Sequence, residues 1–501
     1  MLNTLIVLTQ HDIEAIHHTS LTILRNLGVS LPSQEVLGAL VEAGADVDLD
    51  HKVARIPERL VVEAIERAGK RYILHGRDPD RTACFGYGDF VLVSSPGQFA
   101  WVDEEGSQRR PPNQEDARAG IRVSDALEHI DIVGAMGMAL DIPAEYRDVW
   151  MAAESVKGST KPTHVWVANG RTLEYILRIH EAVAGGREAH RQRPMIAAFI
   201  EPVSPLRFPE TGLEILVTCA RYGLPVAFGP MVQAGATGPA TLAGTLALEN
   251  AEILAGIVLA QTFGPGVPVC YGGIPHIMDM RSSQISFGSP EQGLMAVAMT
   301  QMARHYGLPV YINVGLSDSK RVDAQSGLER GMTLLMGALA GADTFGHMGI
   351  LGADQAGSLK QLIVDNEMAA YIKRVLRGFS VDEETLALDV IQKVGIGGNF
   401  LGEAHTRDHF LQEMWLPSAS PFDFTLRRRS GQAQDKLRAG PTAFDRRRWE
   451  EWWADGARTM ADWARERKAQ ILAEHHPTAP EPDLGREIDG IVATARRDLL
   501  K

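Results

Sequence analysis

The residues of this chain that offer the most chemistry are aromatic, acidic and histidine side chains that follow short β-branched or aromatic runs. The faces of Trp, Tyr and Phe rings attract a cation, and this attraction needs no hydrogen-bond donor. With one or two carboxylates beside them, such rings form a cage for a quaternary ammonium group, although any single ring could equally well fill the interior of the fold. The candidate pocket residues are Trp166, Glu201, Met231, Tyr271, His276, Asn313, Leu316, Asp318, Phe345 and His347.

The runs that must position these residues recur with regular punctuation. Three segments share a glycine, a proline and then a β-like run: Tyr222-Gly-Leu-Pro-Val-Ala-Phe228, Pro265-Gly-Val-Pro-Val-Cys-Tyr271 and Tyr306-Gly-Leu-Pro-Val-Tyr-Ile312. Glycine suits the residue after a helix, and proline suits the first residue of a strand. The prolines lie 43 and 41 residues apart, which is the length of one strand–helix unit with its loops.

Five further β-like segments extend this alternation, at 91–94, 130–133, 163–168, 194–200 and 342–347. Eight strands that alternate with helices predict an α/β fold of the (β/α)8 TIM-barrel type, whose reacting groups lie at the carboxyl ends of the strands. We expect three parts: residues 1–85 as an N-terminal helical extension packed on the barrel, 86–400 as the barrel, and 401–501 as a C-terminal helical extension.

Composition restricts the partners and the compartment. The formal net charge of −13 weighs against nucleic acid as the main partner. The apolar N-terminus is too short for a signal peptide, and the sequence predicts no membrane span. Cys84, Cys219 and Cys270 show no metal-ligand spacing, which favours a reducing, cytoplasmic location and predicts no metal site. Dinucleotide, P-loop, zinc-protease and serine-hydrolase motifs are all absent from the sequence.

A tryptophan-rich stretch near the C-terminus bears on assembly. Its members recur at helical spacing and are Trp449, Trp452, Trp453, Met460 and Trp463. Such a stripe is usually a packing face. We expect it to pack against the barrel or against a second subunit, and we predict a homo-oligomer.

The most distinctive polar segment runs from Tyr311 through Ile-Asn-Val-Gly-Leu-Ser-Asp-Ser to Lys320 and continues to Asp323, Gln325 and Glu329. Four further segments stand out: Leu242–Ile257, Gly288-Ser-Pro-Glu-Gln-Gly-Leu294, Gln361-Leu-Ile-Val-Asp-Asn366 and Gln392-Lys-Val-Gly-Ile-Gly-Gly-Asn399. Together these segments resemble the trimethylamine methyltransferase (MttB) family. The resemblance covers nearly the whole chain.

This resemblance implies a TIM barrel that moves a methyl group from a methylated amine to Co(I) of a separate corrinoid protein. Archaeal trimethylamine enzymes carry pyrrolysine where this chain has Leu316. Members without pyrrolysine resemble the glycine betaine branch, which acts on quaternary amines and leaves dimethylglycine. The corrinoid-ligating motif D-x-H-x-x-G is absent, so we expect this chain to bind no cobalamin and the partner to supply it.

The resemblance also implies roles for the candidate residues. The predicted catalytic positions are Leu316, Asp318 and Glu201, with Leu316 shaping the pocket floor. The predicted substrate-binding residues are Trp166, Tyr271, His276, Asn313, Phe345 and His347. Among them, we expect His347 and Asn313 to contact the betaine carboxylate, with His276 in reserve.

Three alternatives remain open at the level of sequence. The substrate could be proline betaine, carnitine, choline or the sulfonium compound dimethylsulfoniopropionate. The methyl group could pass directly to tetrahydrofolate. A non-catalytic betaine-binding protein would retain the pocket without turnover.

Overall fold

The central feature of the fold is a parallel β-sheet that curls around an interior cavity. The computed structural model describes residues 5–103, 108–417 and 443–501. Six parallel strands lie in the order Val91–Ser94, Thr344–Met348, Val310–Ile312, Val269–Gly273, Val226–Phe228 and Ala198–Ile200. Two single parallel bridges, Val93 to Ile132 and Val133 to Thr163, add two more segments beside Val91–Ser94. All eight predicted segments therefore lie side by side.

The predicted closure of the barrel is not shown. Within the part of the chain that the structure describes, no strand pairing joins the segment at 163–167 to Ala198–Ile200. Aromatic side chains occupy this gap: the ring of Phe199 lies 6.0 Å from that of His164 and 6.3 Å from that of Trp166. The fold is thus a mixed α/β fold with a curled parallel sheet. Side chains occupy the position at which strand pairing would close a barrel.

Helices return the chain between strands, as the punctuation predicted. Tyr222 and Tyr306 end their helices, and Gly223 and Gly307 follow them with φ of +88° and +67°. The helices that precede the strand Val269–Gly273 in the chain are Gln10–Asn26, Gln34–Ala43, Glu58–Arg67, Gln114–Ala126, Arg147–Gly158, Gly170–Ala184, Arg187–Gln192, Glu210–Tyr222 and Leu242–Phe263. Those that follow are Pro290–Tyr306, Ala324–Ala340, Leu359–Arg377, Glu383–Leu386, Leu388–Val394, Ala404–Glu413, Trp449–Ala454, Met460–Glu474 and Pro482–Leu499.

One helix has the length and composition of a membrane span. Leu242–Phe263 is 22 residues long, and 78% of its most apolar stretch is buried inside the fold. It carries apolar residues on all sides because neighbouring helices and the sheet surround it. Its position is that of a core helix.

The N-terminal part is not purely helical. It contains the three helices Gln10–Asn26, Gln34–Ala43 and Glu58–Arg67, but Val29–Ser30, Asp46–Asp48 and Val53–Arg55 also form a small antiparallel sheet. A hairpin of Tyr72–His75 and Thr82–Phe85 follows. The stacked rings of Tyr72 and Phe85, 4.4 Å apart, close one end of the sheet interior.

Residues from all three predicted parts share one apolar core, which includes Leu24, Ile257 and Ile488. The boundaries at residues 85 and 400 stay a prediction. The tryptophan stripe is divided between two helices: Trp463 packs against the core, whereas Trp449 and Trp453 are exposed. Short strands form the loops at the carboxyl edge of the sheet: Gln233–Ala234, His276–Asp279, Gln284–Ser286, Ile350–Leu351 and Ala356–Gly357.

A buried ion pair holds two loops at this edge, the one at Gly315 and the one at 349–350, against the helices behind them. The Arg330 guanidinium donates to both carboxylate oxygens of Asp365, at 3.0 and 3.2 Å, and neither side chain is exposed. Arg330 also donates to the carbonyl oxygens of Gly315 and Ile350, and Asp365 accepts from the backbone N–H of Gly349. The backbone at Gly315 and at 349–350 is therefore held through hydrogen bonds to charged groups.

Removal of the guanidinium should be costly. We expect Arg330→Met to lower the free energy of unfolding by about 3–5 kcal/mol, because Asp365 would be left as an uncompensated buried charge. Urea denaturation followed by circular dichroism measures the change. Arg321→Met is the matched control, since Arg321 lies on the surface. Equal stability of the two variants would contradict the role of the pair.

Candidate active site

The cavity inside the curled sheet has an accessible volume of about 60 Å³. This volume is well below that of drug-sized ligand sites, so the cavity takes only a small group. Most of its wall is apolar, from residues such as Leu74, Val93 and Ile132. Its polar end is formed by His164, Phe199, Tyr311 and His347.

His347 stands at the centre of a layer of rings. Its ring centroid lies 5.6 Å from that of His164, 6.0 Å from Tyr311, 6.1 Å from Trp166 and 6.4 Å from Phe199. Tyr311 points inward because alternate residues of a strand face opposite sides. A shift of strand register between Phe345 and Met348 accompanies the inward position of His347. The layer therefore collects rings from four separate segments.

Two carboxylates with perturbed ionisation accompany the rings. Glu201 directly follows the strand Ala198–Ile200, and burial together with the charge of Asp354 raises its pKa to about 7. Burial of the carboxylate raises the pKa of Asp354 to about 6, although the residue as a whole is exposed to solvent. Burial raises the pKa of Tyr311, and the charges of Glu201 and Asp354 raise it further, which indicates that the three groups lie near one another. Such a pair favours a cationic ligand.

Asp354 lies in a turn with a strained backbone and accepts a hydrogen bond from Gln98. Gly352, Ala353 and Asp354 have φ of +65°, +52° and +69° in the turn between two short strands. Non-glycine residues rarely adopt this region, and such strain concentrates at functional sites. The Gln98 side-chain amide donates to the Asp354 carboxylate at 2.9 Å and to the Ser95 hydroxyl at 3.1 Å.

Neutral polar groups complete the layer. Burial, with a smaller contribution from His164, lowers the pKa of His347 to about 3, so its imidazole is uncharged at neutral pH. Its Nε2 atom is buried and has no hydrogen-bond partner. The Tyr311 hydroxyl donates to Asn313 Oδ1 at 3.2 Å. His347 and Asn313 thus offer hydrogen-bonding capacity to a bound molecule.

Of the predicted substrate-binding residues, all of which the structure describes, only His347 lines the cavity, and Trp166 and Asn313 contact its lining residues His347 and Tyr311. Tyr271 and Phe345 lie in the outer core. The Tyr271 hydroxyl donates to Asn250 Oδ1 at 2.8 Å, in the outer core beneath the helix Leu242–Phe263. Phe345 packs against Phe90, with 4.5 Å between their centroids. The neighbours Cys270 and Thr344 line the cavity instead. Because the side chains of a strand alternate between its two faces, Tyr271 and Phe345 lie on the face of the sheet away from the cavity.

His276 lies in the loop sheet rather than in the ring layer. Its Nδ1 atom is 2.7 Å from the carbonyl oxygen of Ile274, and its ring meets that of Phe287 edge-on at 5.3 Å. Among the residues that the structure describes, it is not part of the cavity wall. The structure therefore separates His276 from His347.

The distinctive polar segment has two different parts. Leu316 is buried in the inner apolar cluster with Tyr311 and Phe287, and Met231 packs against the edge of this cluster. The Asp318 carboxylate accepts from the backbone N–H groups of Phe287 and Gly288, at 2.8 and 3.3 Å, and from the Ser286 hydroxyl. Asp318, predicted to be catalytic, thus ties two loops together.

Sequence reasoning missed five residues of the site: Gln98, His164, Phe199, Tyr311 and Asp354. Alternation within the predicted strands points to Phe199 and Tyr311, because each has buried outward-facing neighbours. His164 belongs to a predicted run and could have been found in the same way. Gln98 and Asp354 lie in loops, where periodicity carries no signal.

The raised carboxyl pKa values predict a pH dependence of cation binding. A bound cation favours the ionised carboxylates, so each proton must leave before binding is complete. We therefore expect the affinity for tetramethylammonium to rise from about pH 5 to about pH 8 and then to level off. Calorimetry in buffers of different ionisation enthalpy should show proton release at neutral pH.

The Glu201→Gln variant should lose the part of this dependence near pH 7 and keep the part near pH 6 that belongs to Asp354. Glu66→Gln, which changes an exposed carboxylate of an N-terminal helix, is the control. Binding to the Glu201→Gln variant with an unchanged pH profile would contradict this assignment.

Comparison with known proteins agrees with the resemblance noted from sequence. The family description "Trimethylamine methyltransferase (MTTB)" matches residues 1–426. A trimethylamine methyltransferase MttB of Desulfitobacterium hafniense (strain DSM 10664 / DCB-2) is 34% identical, with 94% of this chain and 90% of that protein covered. The glycine betaine methyltransferase of Desulfitobacterium hafniense (strain Y51) is 32% identical, with 98% of each chain covered.

The trimethylamine methyltransferase MttB of Methanosarcina barkeri (strain Fusaro / DSM 804) is 32% identical over 97% of this chain and 94% of that protein. Among solved structures, Methanosarcina barkeri monomethylamine methyltransferase (MtmB) is 11% identical with a TM-score of 0.46, and 99% of this chain and 95% of that chain are covered. That structural likeness is too low to bear on function. The full-length matches place this chain in the trimethylamine methyltransferase (MttB) family.

Proposed function

We propose that this chain transfers a methyl group from a quaternary amine, with glycine betaine as the substrate and dimethylglycine as the product, to Co(I) of a separate corrinoid protein. The observation that carries the proposal is the layer of rings beside the Glu201 and Asp354 carboxylates. A quaternary ammonium has no N–H, so ring faces and negative charge are what can recognise it. The relative named glycine betaine methyltransferase adds support.

The trimethylammonium group would lie against the faces of Trp166, Phe199 and Tyr311. Glu201 and Asp354 would supply compensating charge from the mouth. Displacement of water from this space strengthens both interactions, because charges attract more strongly where the dielectric is low. The family's (β/α)8 barrel would complete the enclosure.

The betaine carboxylate must point away from Glu201 and Asp354, since like charges repel. His347 and Asn313 are the neutral groups available for it. An imidazole that stays uncharged can donate from Nε2 while its ring still packs against the other rings. This contact gives the unpartnered Nε2 atom a use.

The reaction is an in-line displacement at a methyl carbon. The carbon–nitrogen bond breaks and the nitrogen leaves with its electron pair as a neutral tertiary amine, so no general acid is required. Rate enhancement then comes from position and desolvation. Leu316 is apolar and buried, and in this role it would shape the cavity rather than bind the amine.

The corrinoid protein is the second substrate of the proposed reaction. Its Co(I) supplies the nucleophile, and it would dock over the carboxyl ends of the strands, where the cavity opens. This chain would bind no cofactor of its own and would act in the cytoplasm on small molecules, without nucleic acid or membrane partners. Tetrahydrofolate as a direct methyl acceptor is the competing mechanism.

The acidic pair favours one second candidate. A quaternary amine with an uncharged tail, such as choline, would avoid the repulsion that a betaine carboxylate meets near Glu201 and Asp354. The other candidates from the sequence, proline betaine, carnitine and dimethylsulfoniopropionate, share the cation and differ in the tail.

The test is methyl transfer by the purified chain with Co(I) cobalamin and, separately, with tetrahydrofolate. We expect dimethylglycine from glycine betaine only when the cobalt acceptor is present. Trp166→Leu should raise KM for glycine betaine by about 3- to 30-fold, since one ring contributes about 0.5–2 kcal/mol to cation binding. Trp453→Leu, which changes an exposed tryptophan, should leave KM unchanged.

Three results would count against the proposal. Faster turnover of choline would show that choline is the substrate of the same reaction. Transfer to tetrahydrofolate without cobalt would show that tetrahydrofolate is the methyl acceptor. Tight betaine binding without any demethylated product would show that the chain is a binding protein and not an enzyme.

A further inference from the structure

Glycines occupy one level of the cavity wall on three strands. Ala227, Cys270 and Thr344 line the cavity. Alternation along a strand puts the residue two places further on at the same face of the sheet. On these three strands, that residue is Gly229, Gly272 or Gly346. The interior of a (β/α)8 sheet is normally filled by bulky branched side chains, so three glycines at one level leave room for other groups.

The ring of Phe199 uses the room at Gly229. A Cβ atom added to Gly229 would overlap Cζ of the Phe199 ring and would lie 2.7 Å from its Cε1 atom. Carbon atoms that are not bonded pack at about 3.5–4.0 Å, so the ring lies where the methyl group of an alanine would be. Gly229 directly follows the strand Val226–Phe228, which pairs with the strand that carries Phe199. The ring therefore lies across the backbone of the neighbouring strand.

The ring of Tyr311 lies between the other two glycines. Gly272 is its register partner on the strand Val269–Gly273, and a Cβ atom added there would lie 3.2 Å from Cδ1 of the ring. Gly346 belongs to the strand that pairs on the other side, and a Cβ atom added to it would lie 2.8 Å from Cε2 and 3.0 Å from the hydroxyl oxygen of Tyr311. Tyr311 therefore packs against bare backbone on both neighbouring strands.

Contact between the two rings completes this arrangement. The ring centroids of Phe199 and Tyr311 are 5.2 Å apart, and the rings meet edge-on at 78°. A bulky side chain behind a ring could rotate to admit a larger ligand. The backbone of a paired strand cannot move in this way without losing hydrogen bonds that it needs when buried. The sheet itself therefore fixes the positions of both rings.

We propose that Gly229 and Gly346 are positioning residues that restrict the site to a trimethylammonium group. The two glycines act through Phe199 and Tyr311, because rings fixed on the backbone cannot withdraw to admit larger substituents on the nitrogen. The small accessible volume of the cavity, about 60 Å³, agrees with this restriction. The inference rests on the cation site of the proposed function. It narrows the substrate class to trimethylammonium compounds and disfavours a cyclic betaine such as proline betaine.

The test measures cation binding to the purified full-length chain by calorimetry. Tetramethylammonium should bind at least about 10-fold more tightly than tetraethylammonium, because a single methylene group that does not fit weakens binding by about that factor. Gly229→Ala should lower the affinity for tetramethylammonium by about 3- to 30-fold, since the added methyl group displaces one ring of the cage. Gly38→Ala is the control, because a methyl group added there, in the helix Gln34–Ala43, would meet no atom of the described residues within 4 Å.

A double-mutant cycle separates positioning from general damage to the fold. Phe199→Leu removes the outer ring atoms, which are those that a Cβ atom at Gly229 would meet. The variant Gly229→Ala/Phe199→Leu should therefore bind tetramethylammonium as Phe199→Leu does, and both should discriminate less against tetraethylammonium than the wild type. Urea denaturation should show the same coupling, with Gly229→Ala less destabilising in the Phe199→Leu background. Gly346→Ala with Tyr311→Leu repeats the cycle at the second ring, so one variant that fails to fold does not end the test.

Four results would overturn the inference: equal affinity of the wild type for the two ions, binding of neither ion, wild-type affinity in Gly229→Ala, or additive effects in the double variant. These binding measurements need no methyl acceptor. If the coupling is found and glycine betaine gives no dimethylglycine, the proposed reaction fails and the inference stands. If dimethylglycine forms and the glycine variants bind as the wild type does, the inference fails and the proposed reaction stands.

Discussion

The buried ion pair between Arg330 and Asp365 is the interaction on which the geometry of the site depends. A guanidinium and a carboxylate without solvent are costly unless each remaining donor and acceptor is satisfied. Here that requirement is met by the backbone of Gly315, Gly349 and Ile350, so satisfying the pair also fixes two loops. One of these loops leads to Leu316 and the other to the turn that holds Asp354. The buried ion pair therefore fixes the positions of both loops next to the site.

Two buried carboxylates of the helix Leu242–Phe263 hold loops in a similar way. Glu249 accepts from the backbone N–H groups of Val232 and Ile274, and Glu252 accepts from that of Leu206 and from the Ser204 hydroxyl. Both lie on the most apolar helix of the chain, and burial raises the pKa of Glu252 to about 7. Asp318 binds its neighbours in the same way. Carboxylates that read as candidates for chemistry therefore serve in part to hold loops that have little apolar packing of their own.

The candidate site itself is electrostatically incomplete without a ligand. Burial and the charge of Asp354 raise the pKa of Glu201, while the imidazole of His347 stays neutral. A permanent cation that cannot form hydrogen bonds would relieve this repulsion and fill the space between the rings. The strained turn at 352–354 fits this picture, because the carboxylate is held near the rings before any ligand arrives.

The sequence by itself determined the alternation of strands and helices and the family, and it predicted a site at the carboxyl ends of the strands. These follow from local rules, such as glycine after helices and proline before strands, and they were correct at Gly223 and Gly307. Only the tertiary structure decided which rings meet. Tyr271 and Phe345 turned outward and Tyr311 and Phe199 inward, because a shift of one residue along a strand reverses the face of the sheet.

The open side of the curled sheet and the proximity of Glu201 and Asp354 also depended on tertiary structure. Glu201 and Asp354 are 153 residues apart in the chain, and no local pattern relates them.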